Sequence, residues 1–109
     1  MDESYAAVWS YDGAPAHVGR ADLMADALLL EDATPQRGDR RRIAIREIAD
    51  VRLAGTRERM EDLKTLVLRL TDGTGVRIGV LGLGAANELH ARVVERVHAY
   101  AAPRPRVAA

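Results

Sequence analysis

A glycine cluster near the C-terminus is the feature of this sequence that most resembles a catalytic motif. From Arg77 to Val97, an apolar strand leads into Gly82 and Gly84 and then into a helical pattern. Dinucleotide-binding turns need glycines at G-x-G-x-x-G, because the backbone must turn tightly and approach a pyrophosphate. Here the third position is Asn87. Too little chain follows for a second strand with the acidic residue that would bind the ribose. The motif therefore predicts a structural turn between a last strand and a closing helix.

The histidines and serines show no arrangement typical of catalysis or metal binding. His90 and His98 lie about two turns apart on the predicted helix, which is too far for one small metal site. His17 adds no ligand spacing such as HExxH. Ser4 and Ser10 are the only serines, and neither lies in a nucleophile-elbow motif. Because cysteine is also absent, we expect a protein that is not an enzyme and that has no metal or cofactor.

Arginines form the strongest candidate for a binding site. Lys64 is the only lysine among 16 basic residues. Such a bias toward arginine is typical of a GC-rich bacterial coding sequence, so a single arginine is weak evidence for a binding site. A cluster indicates more, because converging guanidinium groups can bind several phosphate oxygens. The candidate ligand-binding residues are Arg20, Arg37, Arg40, Arg41 and Arg42.

Acidic neighbours and strand geometry weaken this cluster. From Glu31 to Arg42, four arginines stand against three acidic residues, and over the whole chain 16 basic residues balance 16 acidic ones. Alternation along a strand would place Arg41 on one face with Ile43, and Arg40 and Arg42 on the opposite face. We therefore predict weak or no binding to membranes and no binding to nucleic acid.

Three of the four aromatic residues lie close together near the N-terminus, namely Tyr5, Trp9 and Tyr11. Aromatic side chains are common anchors of protein interfaces. These three are therefore the candidates for contact with a protein partner or with a second copy of the chain in a homo-oligomer. Core packing is the competing role for Trp9, and we favour it.

Most of the predicted elements are strands. Apolar residues alternate on both sides of Asp72 and Gly73, which predicts a β-hairpin. The segments HVGRADL and ALLLE, on either side of residues 24–26, predict a second hairpin. The segment YAAVWSY favours a further strand, although Ser4 as an N-cap would also allow a short helix.

A further strand pair is predicted in RRIAIREIADVRL, with a corner from Glu47 to Asp50. The side chains expected to face inward from this pair are Ile43, Ile45, Val51 and Leu53. After the last strand the apolar period changes to 3.6 residues, which predicts one amphipathic helix. Its apolar stripe consists of Ala86, Leu89, Val93, Val94, Val97 and Tyr100. We expect one domain over residues 1–102 and a loose tail over 103–109, beginning at Pro103.

This order of elements resembles the GRAM and bacterial pleckstrin-homology-like (PH-like) families. The resemblance is carried by GRADLMADALLLED, RRIAIREIADVRLAG and LVLRLTDGTGVRIGV, followed by a helix. It implies an α+β fold, a PH-like barrel of about seven antiparallel strands in two nearly orthogonal sheets capped by one C-terminal helix. The chain departs from the family pattern at Leu28–Leu30, where an aromatic residue is often found, and it contains no phenylalanine.

The resemblance implies a non-catalytic binding module. Domains of these families bind phosphoinositides, acidic lipids or protein segments, and the fold alone does not select the ligand. We favour protein contact or self-association, with recognition of anionic lipid headgroups or another phosphorylated ligand by the strand-loop arginines as the alternative. The absence of cysteine and the acidic first residues, with no long apolar run, predict a cytoplasmic protein.

Overall fold

The computed structural model describes residues 3–34 and 40–101, which form seven strands, two short 3-10 helices and one α-helix. Arg37 and the predicted tail over 103–109 lie outside the described residues. The strands and the helix are β1 Glu3–Tyr11, β2 His17–Leu23, β3 Ala27–Asp32, β4 Arg40–Ala44, β5 Ile48–Leu53, β6 Thr65–Leu70, β7 Gly75–Val80 and α1 Ala85–Ala101.

The strands form one continuous antiparallel sheet in the order β4-β3-β2-β1-β7-β6-β5. Strand β1 joins its two halves, because residues 3–9 pair with β2 while residues 7–11 pair with β7. The two sheets expected from the sequence are therefore two halves of one curled sheet. The predicted α+β fold, with seven antiparallel strands capped by a C-terminal helix, is confirmed.

The two predicted hairpins are confirmed. Strands β6 and β7 pair around Asp72 and Gly73, and strands β2 and β3 pair around residues 24–26. The segment YAAVWSY belongs to β1, so the strand alternative is correct and the helix alternative is wrong. One face of the sheet packs into a single core, whose largest fully buried side chain is Trp9.

The predicted corner between β4 and β5 is misplaced. A 3-10 helix turns the chain at Ile45–Glu47, and β5 has already begun at Ile48. Strand pairing is irregular between Ile48 and Asp50, so the alternation does not run evenly from one strand into the next. Leu53 was expected to face inward but is 41% exposed, because it ends a strand at the open edge of the sheet.

Burial along the apolar stripe of α1 falls toward its C-terminus. Leu89 and Val93 are completely buried, Val97 is half-buried, and Tyr100 is 54% exposed. The prediction that Tyr100 belongs to the buried stripe is therefore wrong. The helix packs mainly on β5, on the 3-10 helix Ile45–Glu47 and on the ends of β6 and β7, so its last turn extends past the core.

Candidate functional site

The glycine turn between β7 and α1 has a structural role. Gly82 and Gly84 adopt φ angles of 109° and 73°, a region that glycine enters without steric cost. Strand β7 pairs antiparallel with both β1 and β6. A dinucleotide-binding turn connects parallel strands through a crossover helix, so this arrangement does not fit one.

Within residues 3–34 and 40–101, no three His, Asp or Glu side chains are placed to hold a metal ion. No helix in those ranges has the length and apolar character needed to cross a bilayer.

One polar cluster lies where the β1–β2 and β6–β7 turns meet, and we call it the turn end. The two turns are joined by two hydrogen bonds, since the Asp12 amide donates to the Gly75 carbonyl at 2.8 Å and the Gly75 amide donates to Asp12 Oδ1 at 2.7 Å. Asp32, at the end of β3, is buried and accepts hydrogen bonds from the Thr34 amide at 2.7 Å and from His17 Nδ1 at 2.9 Å. The carboxylate of Asp32 therefore has a partner on each oxygen.

These hydrogen bonds favour the ionised form of Asp32. The bond from the Thr34 amide, followed by the bond from His17, holds the pKa of Asp32 below its usual value. An ionised carboxylate only accepts hydrogen bonds, so Nδ1 of His17 must carry the proton that lies between them. Trp9 stacks on the His17 ring with centroids 5.8 Å apart, and Tyr11 lies 6.0 Å from it. The turn end is therefore held together by these hydrogen bonds and by the stacked rings.

The three candidate interface aromatics do not form an exposed patch. Trp9 is 1% exposed and belongs to the core, which agrees with the core-packing role that we favoured for it. Tyr5 is 9% exposed, and its hydroxyl donates to Glu88 Oε1 at 2.9 Å, which links β1 to α1. Burial, followed by this bond, raises the pKa of Tyr5 to about 12. Tyr11 is half-buried beneath the guanidinium of Arg41, which lies 4.9 Å from its ring centroid.

The candidate arginines diverge along β4. Arg41 lies opposite Leu30 of the buried face, whereas the side chains of Arg40 and Arg42 are exposed. Arg40 pairs with Glu31 at 3.2 Å, and Arg42 pairs with Asp26 at 2.9 Å. Consecutive arginines therefore reach three different surroundings.

Arg20 and Arg40 are the two candidates that the structure brings together. Arg20 lies 3.0 Å from Asp22 and 3.7 Å from Glu31, and Glu31 is also the partner of Arg40. Two guanidinium groups thus share the carboxylates of Glu31 and Asp22, so these four side chains leave no surplus positive charge.

A groove lies at the C-terminal end of α1, and we call it the helix-end groove. It has a volume of about 310 Å³. Its walls come from the β2–β3 turn, the end of β4 with its 3-10 helix, and the last turns of α1. The lining residues are Ala25, Asp26, Arg42, Ala44, Ile45, Arg46, Arg96, Ala99 and Tyr100.

The groove combines an apolar floor with arginine walls. Ala44 and Ile45 are each 4% exposed and form the floor, while Tyr100 stands open at the side. Arg42 is paired with Asp26. In the ranges that the structure describes, Arg46 and Arg96 form no ion pair with a carboxylate. Sequence reasoning missed both residues, because only the fold brings β4 and α1 together.

Exposed leucines lie at the opposite end of α1. Leu81 is 46% exposed and Leu83 is fully exposed, and both lie in the turn that precedes the helix. At a rise of about 1.5 Å per residue, the length of α1 separates them from Tyr100 by about 25 Å. Leu81 and Leu83 are therefore remote from the helix-end groove.

The edge strands are protected against pairing with other chains. Strand β4 carries three consecutive arginines, and β5 carries a register irregularity after Ile48. Arg52 on β5 forms a bidentate pair with Glu58 at 2.8 and 2.7 Å, which lowers the pKa of Glu58 to about 2. Charged side chains and bulges are the devices that discourage strand addition at an edge.

Comparisons with known proteins support the fold and leave the family open. No protein-family model matches the chain, and no curated protein matches it by sequence. The N-terminal PH domain of the human ARAP2 protein superposes with a TM-score of 0.70 at 11% identity, covering 99% of this chain and 89% of that domain. The C-terminal domain of an unknown protein from Leishmania infantum superposes with a TM-score of 0.71 at 11% identity, covering 87% of this chain and 81% of that one.

Proposed function

We propose that this PH-like chain is a non-catalytic binding module that contacts a protein segment at the helix-end groove. The single observation that carries the proposal is the form of this groove, a concavity of about 310 Å³ with an apolar floor and polar groups on its walls. Binding sites commonly combine a concave apolar surface with a few orienting polar groups. The exposed Tyr100 supplies an aromatic side chain at the border, a residue type enriched at interfaces.

Strand addition at an edge is a weaker way to bind a protein here. The arginines of β4 and the Arg52–Glu58 pair beside β5 would both have to rearrange before another strand could pair. Self-association is therefore expected through the groove, if it occurs, rather than through the sheet edges. The proposal includes the GRAM or bacterial PH-like families as closer relatives, supported by the order of elements, and a cytoplasmic location, supported by the cysteine-free composition.

Two exposed alanines on α1 give a matched test. Ala99→Trp fills the groove, whereas Ala91→Trp adds the same side chain to an exposed helix position that does not line it. We expect Ala99→Trp to lose partner proteins in affinity capture from host extract, or to abolish a dimer seen by light scattering, while Ala91→Trp behaves like the parent chain. Equal behaviour of the two variants would contradict the groove as the contact site.

Recognition of anionic headgroups is the second candidate, because Arg20 and Arg40 do lie together beside Glu31. Their charges are already matched by acidic neighbours, and Arg41 points to the other face. At about 1 kcal/mol for each basic residue near an anionic surface, little attraction is left after the acidic neighbours are counted.

Vesicle co-sedimentation separates the two candidates. We expect weak or no binding to phosphatidylserine and phosphoinositide vesicles at physiological salt, and no change when Arg40, Arg41 and Arg42 are all replaced by Ala. Tight binding that falls with added salt and is abolished in the triple variant would make headgroup recognition the function.

A further inference from the structure

The arginines of the helix-end groove outnumber its acidic residues by three to one, since Asp26 faces Arg42, Arg46 and Arg96. Asp26 pairs with Arg42 at 2.9 Å, which leaves Arg46 and Arg96 as the surplus. Resting on the proposed function, we infer that the groove binds an acidic peptide segment carrying an apolar side chain. Arg46 and Arg96 pair with its carboxylates, and the apolar side chain covers the floor.

Arg96 is the better-positioned of the two. It is half-buried, and within residues 3–34 and 40–101 its guanidinium donates one hydrogen bond, to the Arg92 carbonyl of its own helix at 3.5 Å. Arg92, one turn earlier, has two internal partners, Glu3 and Glu88. Among the residues that the structure describes, carboxylates pair with Arg92 and none pairs with Arg96. A guanidinium group has five N–H donors in a fixed fork that suits a carboxylate, so an acidic ligand fits the donors that Arg96 leaves unused.

The groove also sets where the acidic and apolar side chains of the bound segment lie. The last carbonyl groups of α1, near Ala99 and Tyr100, carry partial negative charge and repel a carboxylate. Arg46, on the other wall, follows the end of β4. Acidic side chains of the partner therefore lie toward Arg46 and Arg96, and its apolar side chain lies over Ile45 and beside Tyr100.

A protein segment fits this site better than a membrane. The apolar floor is recessed between two walls, where an extended side chain can enter but a bilayer surface cannot. Binding in a membrane interface needs several large exposed apolar side chains beside cationic ones, and among the described residues that line the groove Tyr100 is the one large exposed apolar side chain. In this chain Leu83, the most exposed leucine, lies at the other end of α1.

Fluorescence anisotropy with designed peptides tests the inference. The probe is a short labelled peptide in which one Leu is flanked on each side by two Glu. Two reference peptides replace every Glu by Lys, or the Leu by Gly. We expect the acidic peptide to bind, the Lys peptide not to bind, and the Gly peptide to bind more weakly than the probe. Affinity for the probe should fall as salt is added, because the carboxylate–arginine pairs are partly exposed.

Matched double variants identify the arginines. Arg46→Ala with Arg96→Ala should weaken binding of the probe by roughly fivefold to twentyfold, since each partly exposed pair contributes up to about fivefold. Arg57→Ala with Arg69→Ala removes the same charge from exposed positions that do not line the groove, and should change affinity by less than about twofold. Urea midpoints of both double variants confirm that each is folded.

The outcomes separate this inference from the proposed function. Failure of the acidic peptide to bind at millimolar concentration, or equal binding of the Glu and Lys peptides, overturns the acidic partner. Equal weakening by the two double variants also overturns it. If Ala99→Trp still abolishes partner capture in that case, the groove remains the contact site and only its ligand class is wrong. Vesicle binding that depends on Arg46 and Arg96, with no peptide binding, replaces the peptide by an anionic lipid surface.

Discussion

The turn end and the helix-end groove contain the same kinds of side chain in different states. At the turn end, Arg41 covers Tyr11 and Asp32 has a partner on each oxygen. In the groove, Tyr100 is exposed and Arg96 has no carboxylate beside it in the part of the chain that the structure describes. A tyrosine and an arginine thus stabilise the fold in one place and remain available for a ligand in the other. Residue type alone does not distinguish these roles, whereas burial and pairing do.

Neighbouring residues of β4 connect the two regions. Arg41 lies opposite Leu30 and reaches Tyr11 at the turn end, whereas Arg42 lines the groove and pairs with Asp26. Because side chains alternate along a strand, a run of arginines is distributed over both faces instead of forming one site. A cationic cluster in the sequence is therefore not the same as a cationic site in the fold.

The largest expected difference between the regions is in core stability. Trp9→Ala should lower the free energy of unfolding by about 3–5 kcal/mol, because it leaves a cavity where a 1% exposed side chain packed. Tyr100→Ala should change it by less than about 0.5 kcal/mol, since that side chain is 54% exposed. Urea denaturation of both variants measures the difference. A loss for Tyr100→Ala as large as that for Trp9→Ala would show that the groove is part of the core.

A smaller effect, dependent on pH, is expected at Asp32. Asp32→Asn should be less stable than the parent chain at neutral pH, because the charged partner of His17 and of the Thr34 amide is lost. The pKa of Asp32 is lowered in the folded state. Its stabilising effect is therefore present above the pKa of an unfolded aspartate, about 4, and is lost as the pH falls through the folded pKa.

Urea midpoints between neutral and acidic pH check this prediction. The difference between Asp32→Asn and the parent chain should shrink as the pH falls below about 4. Asp50→Asn, at an exposed position of β5, is the control and should stay close to the parent chain. A difference that keeps its size at acidic pH would mean that charge is not what Asp32 contributes.

Two adjacent arginines give the next comparison. Arg41→Ala should cost about 0.5–1 kcal/mol, because it removes a cation–π contact at 4.9 Å from a half-buried ring. Arg42→Ala should cost a few tenths of a kcal/mol at most, since the side chains of Arg42 and Asp26 are 51% and 76% exposed. Thermal unfolding of the two variants in parallel measures the order. A larger loss for Arg42→Ala would contradict the stabilising role of the contact between Arg41 and Tyr11.

Local patterns in the sequence predicted most of the fold. The hairpins around Asp72 and around residues 24–26 follow from alternation and turn residues that lie within a few positions of each other. The corner between β4 and β5 was misplaced, because a 3-10 helix and a register irregularity interrupt the alternation and neither has a clear local signal. Tyr100 matched the helical period but extends past the sheet, and helix periodicity does not tell where the core ends.

The groove could not be predicted in the same way. Arg46 follows β4 and Arg96 lies near the end of α1, so their proximity depends on how the helix packs against the sheet. The sequence did predict that Arg40, Arg41 and Arg42 would diverge, because that conclusion needs only strand geometry. Tertiary contacts between distant segments decide which arginines lack a carboxylate partner. The formal net charge of zero gives no information about such a local excess of positive charge.

The smallest expected effect tests most directly which arginines of α1 have a carboxylate partner. Arg96→Ala should leave the free energy of unfolding within about 0.5 kcal/mol of the parent chain at both low and high salt, because no carboxylate in the described part of the chain loses a partner. Arg92→Ala is the control on the same helix, and it should cost up to about 1 kcal/mol at low salt, since Arg92 pairs with Glu3 and Glu88. High salt should reduce the cost of Arg92→Ala, because these pairs are partly exposed and screened. If Arg96→Ala shows the same salt-sensitive loss, Arg96 has an internal partner, and the charge surplus of the groove does not exist.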